Sequence, residues 1–102
     1  MKSRRTKAME IHPKVKRLVF ERDGCCILCG SNQGQPVAHY IARSQGGLGI
    51  EQNIVTLCHE CHRRYDNTSD RPHIREMIAA YLKGKYEDWD EKKLYYRKDM
   101  NA

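Results

Sequence analysis

Asn53-Ile54-Val55-Thr56-Leu57-Cys58-His59-Glu60-Cys61-His62 decides how this chain is read. Residues 53–57 have strong β propensity and run straight into a Cys-x2-Cys pair. From Cys58 onward the spacing of His59, Cys61, His62, Tyr65 and Asp66 suits a helix ending near Asn67 to Asp70. A matching pair, Cys26-x2-Cys29, lies 28 residues upstream, and Gly30 closes it as a tight knuckle. Two thiolate pairs on two turns close a tetrahedral zinc site, and four sulfur ligands leave no open position, so the zinc is structural. Cys25 offers a Cys25-x3-Cys29 alternative, but the x2 register matches the second pair better. The competing reading of the four residues is a set of buried or redox-active thiols. The cysteine total is five, odd, with no secretory signal ahead of it, which argues against a disulfide framework.

Working outward, Val37 to Ile41 reads as a first strand, and Ser44 to Gly49 as a flexible loop with three glycines. The two strands then form a hairpin-like pair whose ends return to one metal. Upstream, Pro13 opens a helix to about Arg22 with Val15, Leu18, Val19 and Arg22 on one face, and Asp23-Gly24 stops it. Downstream, Pro72 opens a helix over about His73 to Lys83 with Ile74, Met77, Ile78, Tyr81 and Leu82 as its stripe, ended by Gly84. Trp89, Leu94, Tyr95 and Tyr96 are the buried candidates of a last, partly helical segment.

A chain of 102 residues, 39% hydrophobic and 31% charged, has room for one core and little to put in it. A structural zinc, worth on the order of 10 kcal/mol, compensates. The longest apolar stretch, Met77 to Leu82, is far short of a membrane span. A soluble, cytoplasmic protein is the expectation. The net charge is +6, and residues 1–22 alone carry it, with eight basic and two acidic side chains. A concentrated basic arm attracts a polyanion, of which nucleic acid is the commonest in a cell; the alternative is a solvated tail.

The run Ala38-His39-Tyr40-Ile41-Ala42-Arg43-Ser44-Gln45-Gly46-Gly47, then Asn53 to Cys58, then Cys61-His62, resembles the HNH endonucleases, and most of all their small bacterial and phage members with a four-cysteine zinc. The resemblance runs from about Phe20 to Asp66. It implies an α+β domain of the ββα-metal (His-Me finger) class with structural zinc on Cys26, Cys29, Cys58 and Cys61, and metal-dependent cleavage of DNA phosphodiester bonds as a nicking activity. The chain as a whole then divides into a basic flexible arm over 1–12, the nuclease core over 13–70 and a helical extension packed on it over 71–102. Carried over by position, His39 is the general base, Asn53 steadies the loop and the histidine, and His62 ligates a catalytic Mg2+ or Mn2+. Ala38 departs from the pattern, since the residue before the base is commonly a metal-binding Asp or His. Asp66, one helical turn beyond His62, is the candidate replacement, against the alternative of a solvated helix residue. Arg4, Arg5, Lys16, Arg17, Arg43, Arg63 and Arg64 are the candidate phosphate contacts, against ordinary surface charge. DNA is the expected partner, with a homodimer or a phage or host protein as further candidates, in a phage- or prophage-bearing cell. A decayed, non-catalytic module that only binds nucleic acid, and an adaptor that uses zinc as a staple, are the competing functions.

Overall fold

In a computed structural model that describes residues 3–97, the chain runs α1 (Arg4–Met9), α2 (Pro13–Asp23), β1 (Gln35–His39), β2 (Ile54–Leu57), α3 (His59–Asn67) and α4 (Arg71–Lys85). Short 3-10 turns lie at Arg43–Gln45 and Glu91–Leu94. Residues 1–2 of the arm and 98–102 of the C-terminal extension lie outside the described residues.

The strands pair antiparallel, with His39 opposite Ile54 and Ala38 opposite Val55. A register irregularity between Gln35 and Ala38 interrupts the ladder. All four residues of β2 are buried, as its unbroken Ile-Val-Thr-Leu run requires. α2 packs on both strands, α3 follows β2 and packs on it, and α4 lies against α3. Strand, strand and helix, with four cysteines gathered at one end, make a small α+β fold of the ββα-metal kind.

Local chemistry sets the helix ends. His12 caps α2 by accepting the Lys14 N–H on Nδ1 at 3.1 Å, Pro13 fills the first turn, and Gly24 stops it at φ 73°. Cys58 caps α3 through its sulfur, which accepts the Cys61 N–H at 3.5 Å, so a zinc-type knuckle also starts a helix. One core joins Ile41, Val55, Leu57 and Tyr65 to Ile74, Ile78, Leu82 and Leu94. Each such aliphatic side chain contributes about 2 kcal/mol by leaving water.

Five expectations change. The basic arm is helical over Arg4–Met9, because Met9 is buried and Ser3 caps the first turn through the Thr6 N–H. β1 starts and ends two residues earlier than expected. α4 passes through Gly84 to Lys85, since nothing there demands a left-handed turn. On α2, Leu18 is half exposed and Arg22 takes the inward place. The guanidinium donates to the carbonyls of Glu51 and Ile54 and to Tyr86, and it clasps Asp23, whose carboxylate also accepts from Tyr81 and the Thr56 N–H. Lastly, the glycine-rich segment is not flexible packing material: Gly46, Gly47, Leu48 and Gly49 are buried. They exchange backbone hydrogen bonds with Ala42, Tyr96, Leu94 and Ala8.

Candidate active site

His39 closes β1, and its neighbour Ala38 faces the opposite side of the ribbon, fully buried in the core. The His39 ring is half-buried, with Nε2 2.9 Å from the Met9 carbonyl oxygen. A carbonyl can only accept, so Nε2 carries the hydrogen, and in the neutral ring Nδ1 keeps its lone pair. Burial holds this imidazole below the usual histidine range, and the positive field of Arg43 adds to it, although the Met9 carbonyl pulls the other way.

That carbonyl belongs to the end of α1. A helix leaves its last carbonyls without internal partners. Here the Ala8 oxygen accepts the Gly49 N–H at 2.9 Å and the Met9 oxygen accepts His39. The close backbone approach is possible because residue 49 has no side chain: a Cβ there would overlap the Glu10 carbonyl and stand 3.0 Å from the Met9 oxygen.

α3 presents His62 and Asp66 one turn apart, with Nε2 3.1 Å from Oδ2. Both remain partly exposed. Arg71, at the start of α4, stands 3.8 Å from the other Asp66 oxygen, stacks over Tyr65 at 4.2 Å and donates to the Tyr65 carbonyl. His39, Arg43, Ser44, His62, Asp66 and Arg71 line one open hollow of about 550 Å³. A second hollow, of about 680 Å³, adjoins it and shares Val37, His39 and Arg43. The two imidazoles that the sequence marks out therefore face one trough, with His39 at its middle.

Asn53 is fully buried, and its hydrogen bonds go to the loop backbone. It accepts from the Ile41 N–H at 2.8 Å and donates to the carbonyls of Ile41 and Leu48. It clamps the segment that leaves His39 rather than the ring.

The sulfurs of Cys26, Cys29, Cys58 and Cys61 lie within 4.8 Å of one another, with Cys29 and Cys58 3.6 Å apart. A zinc ion with sulfurs at about 2.3 Å demands a tetrahedral edge of about 3.8 Å, so the cluster fits it. Cys25 stands outside the cluster, which settles the x2 register. Backbone N–H groups at the knuckles overcome the effect of burial and draw the Cys26 thiol down to about 6. Burial and the three neighbouring sulfurs drive Cys61 upward. Four thiolates this close need a cation among them.

Of the candidate phosphate contacts, Arg43 lines both hollows and Lys16 the larger one. Arg63 is paired with Glu60, and Arg64 with Asp70; neither lines the trough. Arg4, Arg5 and Arg17 are exposed. Lys7, His12 and Arg71 line the trough without having been marked by the sequence. Each arrives through tertiary packing, and only the basic excess of residues 1–22 hinted at Lys7.

Residues 26–68 match the family model described as HNH endonuclease. The chain is also 31% identical over 80 residues to the type IV methyl-directed restriction enzyme EcoKMcrA of Escherichia coli (strain K12), an alignment covering 69% of this chain and 29% of that protein. The chain thus spans under a third of that relative's length. With the ββα topology, the cysteine cluster and the His39–His62 trough, these matches make residues 26–68 an HNH-family nuclease-type domain.

Proposed function

We propose that this protein is a metal-dependent endonuclease that cuts one strand of DNA at a time, with His39 as general base, His62 and Asp66 as ligands of a single divalent ion, and zinc as the staple of the fold. The observation that carries the reading is the orientation of His39. Its Nε2–H is committed to the Met9 carbonyl, and the ring lines the same open hollow as the His62–Asp66 pair.

The chemistry follows from that orientation. Nδ1 accepts a proton from a water molecule as the water's oxygen attacks phosphorus. The proton stays on the ring, and the Met9 carbonyl stabilises the imidazolium through the Nε2–H bond. Arg43 offers positive charge to the phosphate oxygens. Asn53 acts as a positioning residue, holding the loop that sets Arg43 and Ser44. A bound Mg2+ or Mn2+ supplies Lewis-acid stabilisation of charge on the phosphate and the leaving oxygen. Imidazole and carboxylate donors on one helix face suit such an ion, and Ala38, buried in the core, contributes no ligand. One centre addresses one phosphodiester bond, hence a nick.

The test is nicking of supercoiled plasmid by zinc-loaded protein with Mg2+ or Mn2+, comparing wild type with His39→Ala and His62→Ala. Wild type should cut, and both variants should drop in rate by at least about 100-fold while retaining duplex binding. If wild type binds duplex and cuts nothing with either ion, the domain is a nucleic-acid-binding module with a lapsed metal site, and the nuclease reading is wrong.

A further inference from the structure

The larger hollow beside His39 is lined mostly by the segment ahead of the HNH match, with Val37, His39 and Arg43 completing it. Lys7 comes from α1, His12 and Lys16 from the start of α2, and Arg43 from the loop after β1. Three cations and two imidazoles face about 680 Å³ of open space against one carboxylate, Glu10. Lys7, Lys16 and Arg43 make no ion pair among the described residues, unlike Arg63, Arg64, Arg71 and Arg75, whose charges are paired. His12 accepts the Lys14 N–H on Nδ1, so its Nε2 carries the hydrogen and is a further donor. Among the described residues no tyrosine, tryptophan or phenylalanine lines the space, which gives no aromatic platform for stacking a base. Cations and a donor without stacking or base-reading amides match a phosphate and its sugar.

We propose that this hollow is a subsite for the phosphodiester group next to the one that is cut, on the same strand of duplex DNA, held by Lys7, Lys16, Arg43 and His12. The shared residues His39 and Arg43 make the hollow continuous with the hydrolytic one. The strand therefore crosses the base at the middle of the trough, and the N-terminal segment grips the flanking backbone without reading sequence. This assignment rests on the nuclease reading above.

The experiment measures binding of a fluorescent duplex of about 16 base pairs to full-length, zinc-loaded protein without magnesium, over KCl concentrations from about 50 to 200 mM. Each cation taken away from a phosphate lowers the slope of log affinity against log salt by about 0.9. Lys7→Ala/Lys16→Ala should flatten the slope by about 1.8 and weaken binding about ten-fold at roughly 100 mM. Lys83→Ala/Lys93→Ala, equal in charge and exposed elsewhere, should leave the slope unchanged. Acetylation footprinting of wild type, which needs no variant to fold, should find Lys7 and Lys16 protected by duplex and Lys83 and Lys93 not. Unprotected Lys7 and Lys16 in a protein that binds and nicks DNA, or equal slope changes for both double variants, overturn the subsite and leave the nuclease standing. Wild type with no duplex affinity at the lowest salt overturns both.

Discussion

Gly49→Ala isolates how much of the base's alignment depends on α1. The new methyl would lie 2.5 Å from the Glu10 carbonyl carbon, where ordinary carbon contacts are about 3.5 Å or more. The end of α1 must therefore retreat by about 1 Å. His39 Nε2, now 2.9 Å from the Met9 oxygen, would then stand about 3.9 Å away, beyond hydrogen-bond range. The Gly49 N–H to Ala8 bond fails with it. Breaking two hydrogen bonds costs about 2 kcal/mol of stability. A base displaced by about 1 Å costs on the order of 100-fold in kcat/KM. Loosening also exposes the ring, which raises its pKa, while loss of the Met9 bond lowers it; burial is the larger of the two, so the acidic limb of the kcat/KM profile should move modestly to higher pH. The assay is steady-state nicking from about pH 5 to 8, with urea unfolding of the same samples. Gly84→Ala is the contrast: a Cβ at that helical site meets nothing within 4 Å, so it should gain up to about 1 kcal/mol and leave kcat/KM alone. A Gly49→Ala protein that is destabilised but keeps the wild-type rate and pH profile would refute the idea that α1 sets the base.

Other outcomes follow from the same structure. Wild-type kcat/KM should fall on the acid side only below the ordinary histidine value of about 6.5, because His39 is depressed and must be neutral to accept a proton. A midpoint above about 7 would contradict the buried, Arg43-facing ring. Asp23→Asn leaves the buried Arg22 without its counter-charge and should cost about 3 kcal/mol at neutral pH in urea unfolding. Burial would raise the Asp23 carboxyl, yet Arg22, Tyr81 and the Thr56 N–H together hold it below its usual value. A depressed carboxyl contributes stability above its unfolded pKa and loses it as pH falls through the folded one. The gap between wild type and variant should therefore stay constant from about pH 8 to 5, and narrowing already near pH 6 would argue against the clasp. Removing zinc with a chelator should abolish cooperative unfolding, since a site worth on the order of 10 kcal/mol matches a small domain's whole stability. Cys26→Ser should lose stoichiometric zinc and Cys25→Ser should retain it, as measured by metal analysis of the purified proteins.

What could be read from the sequence is what local chemistry decides. Cys26, Cys29, Cys58 and Cys61 were legible because tetrahedral thiolate coordination constrains spacing whatever the rest of the chain does. β2 was legible as an unbroken β-branched run, and α3 because its cap is itself a cysteine of the cluster. The His62–Asp66 pairing follows from helical periodicity alone. Gly84 misled for the complementary reason: a glycine stops a helix only where a left-handed residue is needed, and packing of Ile78 and Leu82 carries α4 past it.

The rest was hidden because it depends on chain segments far apart. Gly49 looked like part of a flexible linker, yet its missing side chain is what admits a helix from well upstream. Asn53 was legible as the residue that steadies the loop, but which backbone groups it holds was not: its amide is spent on Ile41 and Leu48, far from any local signal. Met9 carried no signal at all, since what matters is its backbone oxygen, which every residue possesses. These three details are one device. The loop leaving His39 is clamped from within by Asn53 and from outside by α1, and the orphan carbonyls of that helix end on Gly49 and on the imidazole. The basic segment that a charge count marks only as adhesive for nucleic acid thereby also sets which ring nitrogen faces the trough. On the proposed reading its two duties are inseparable in space, because the helix that carries Lys7 into the larger hollow is the one whose Met9 carbonyl holds the His39 ring.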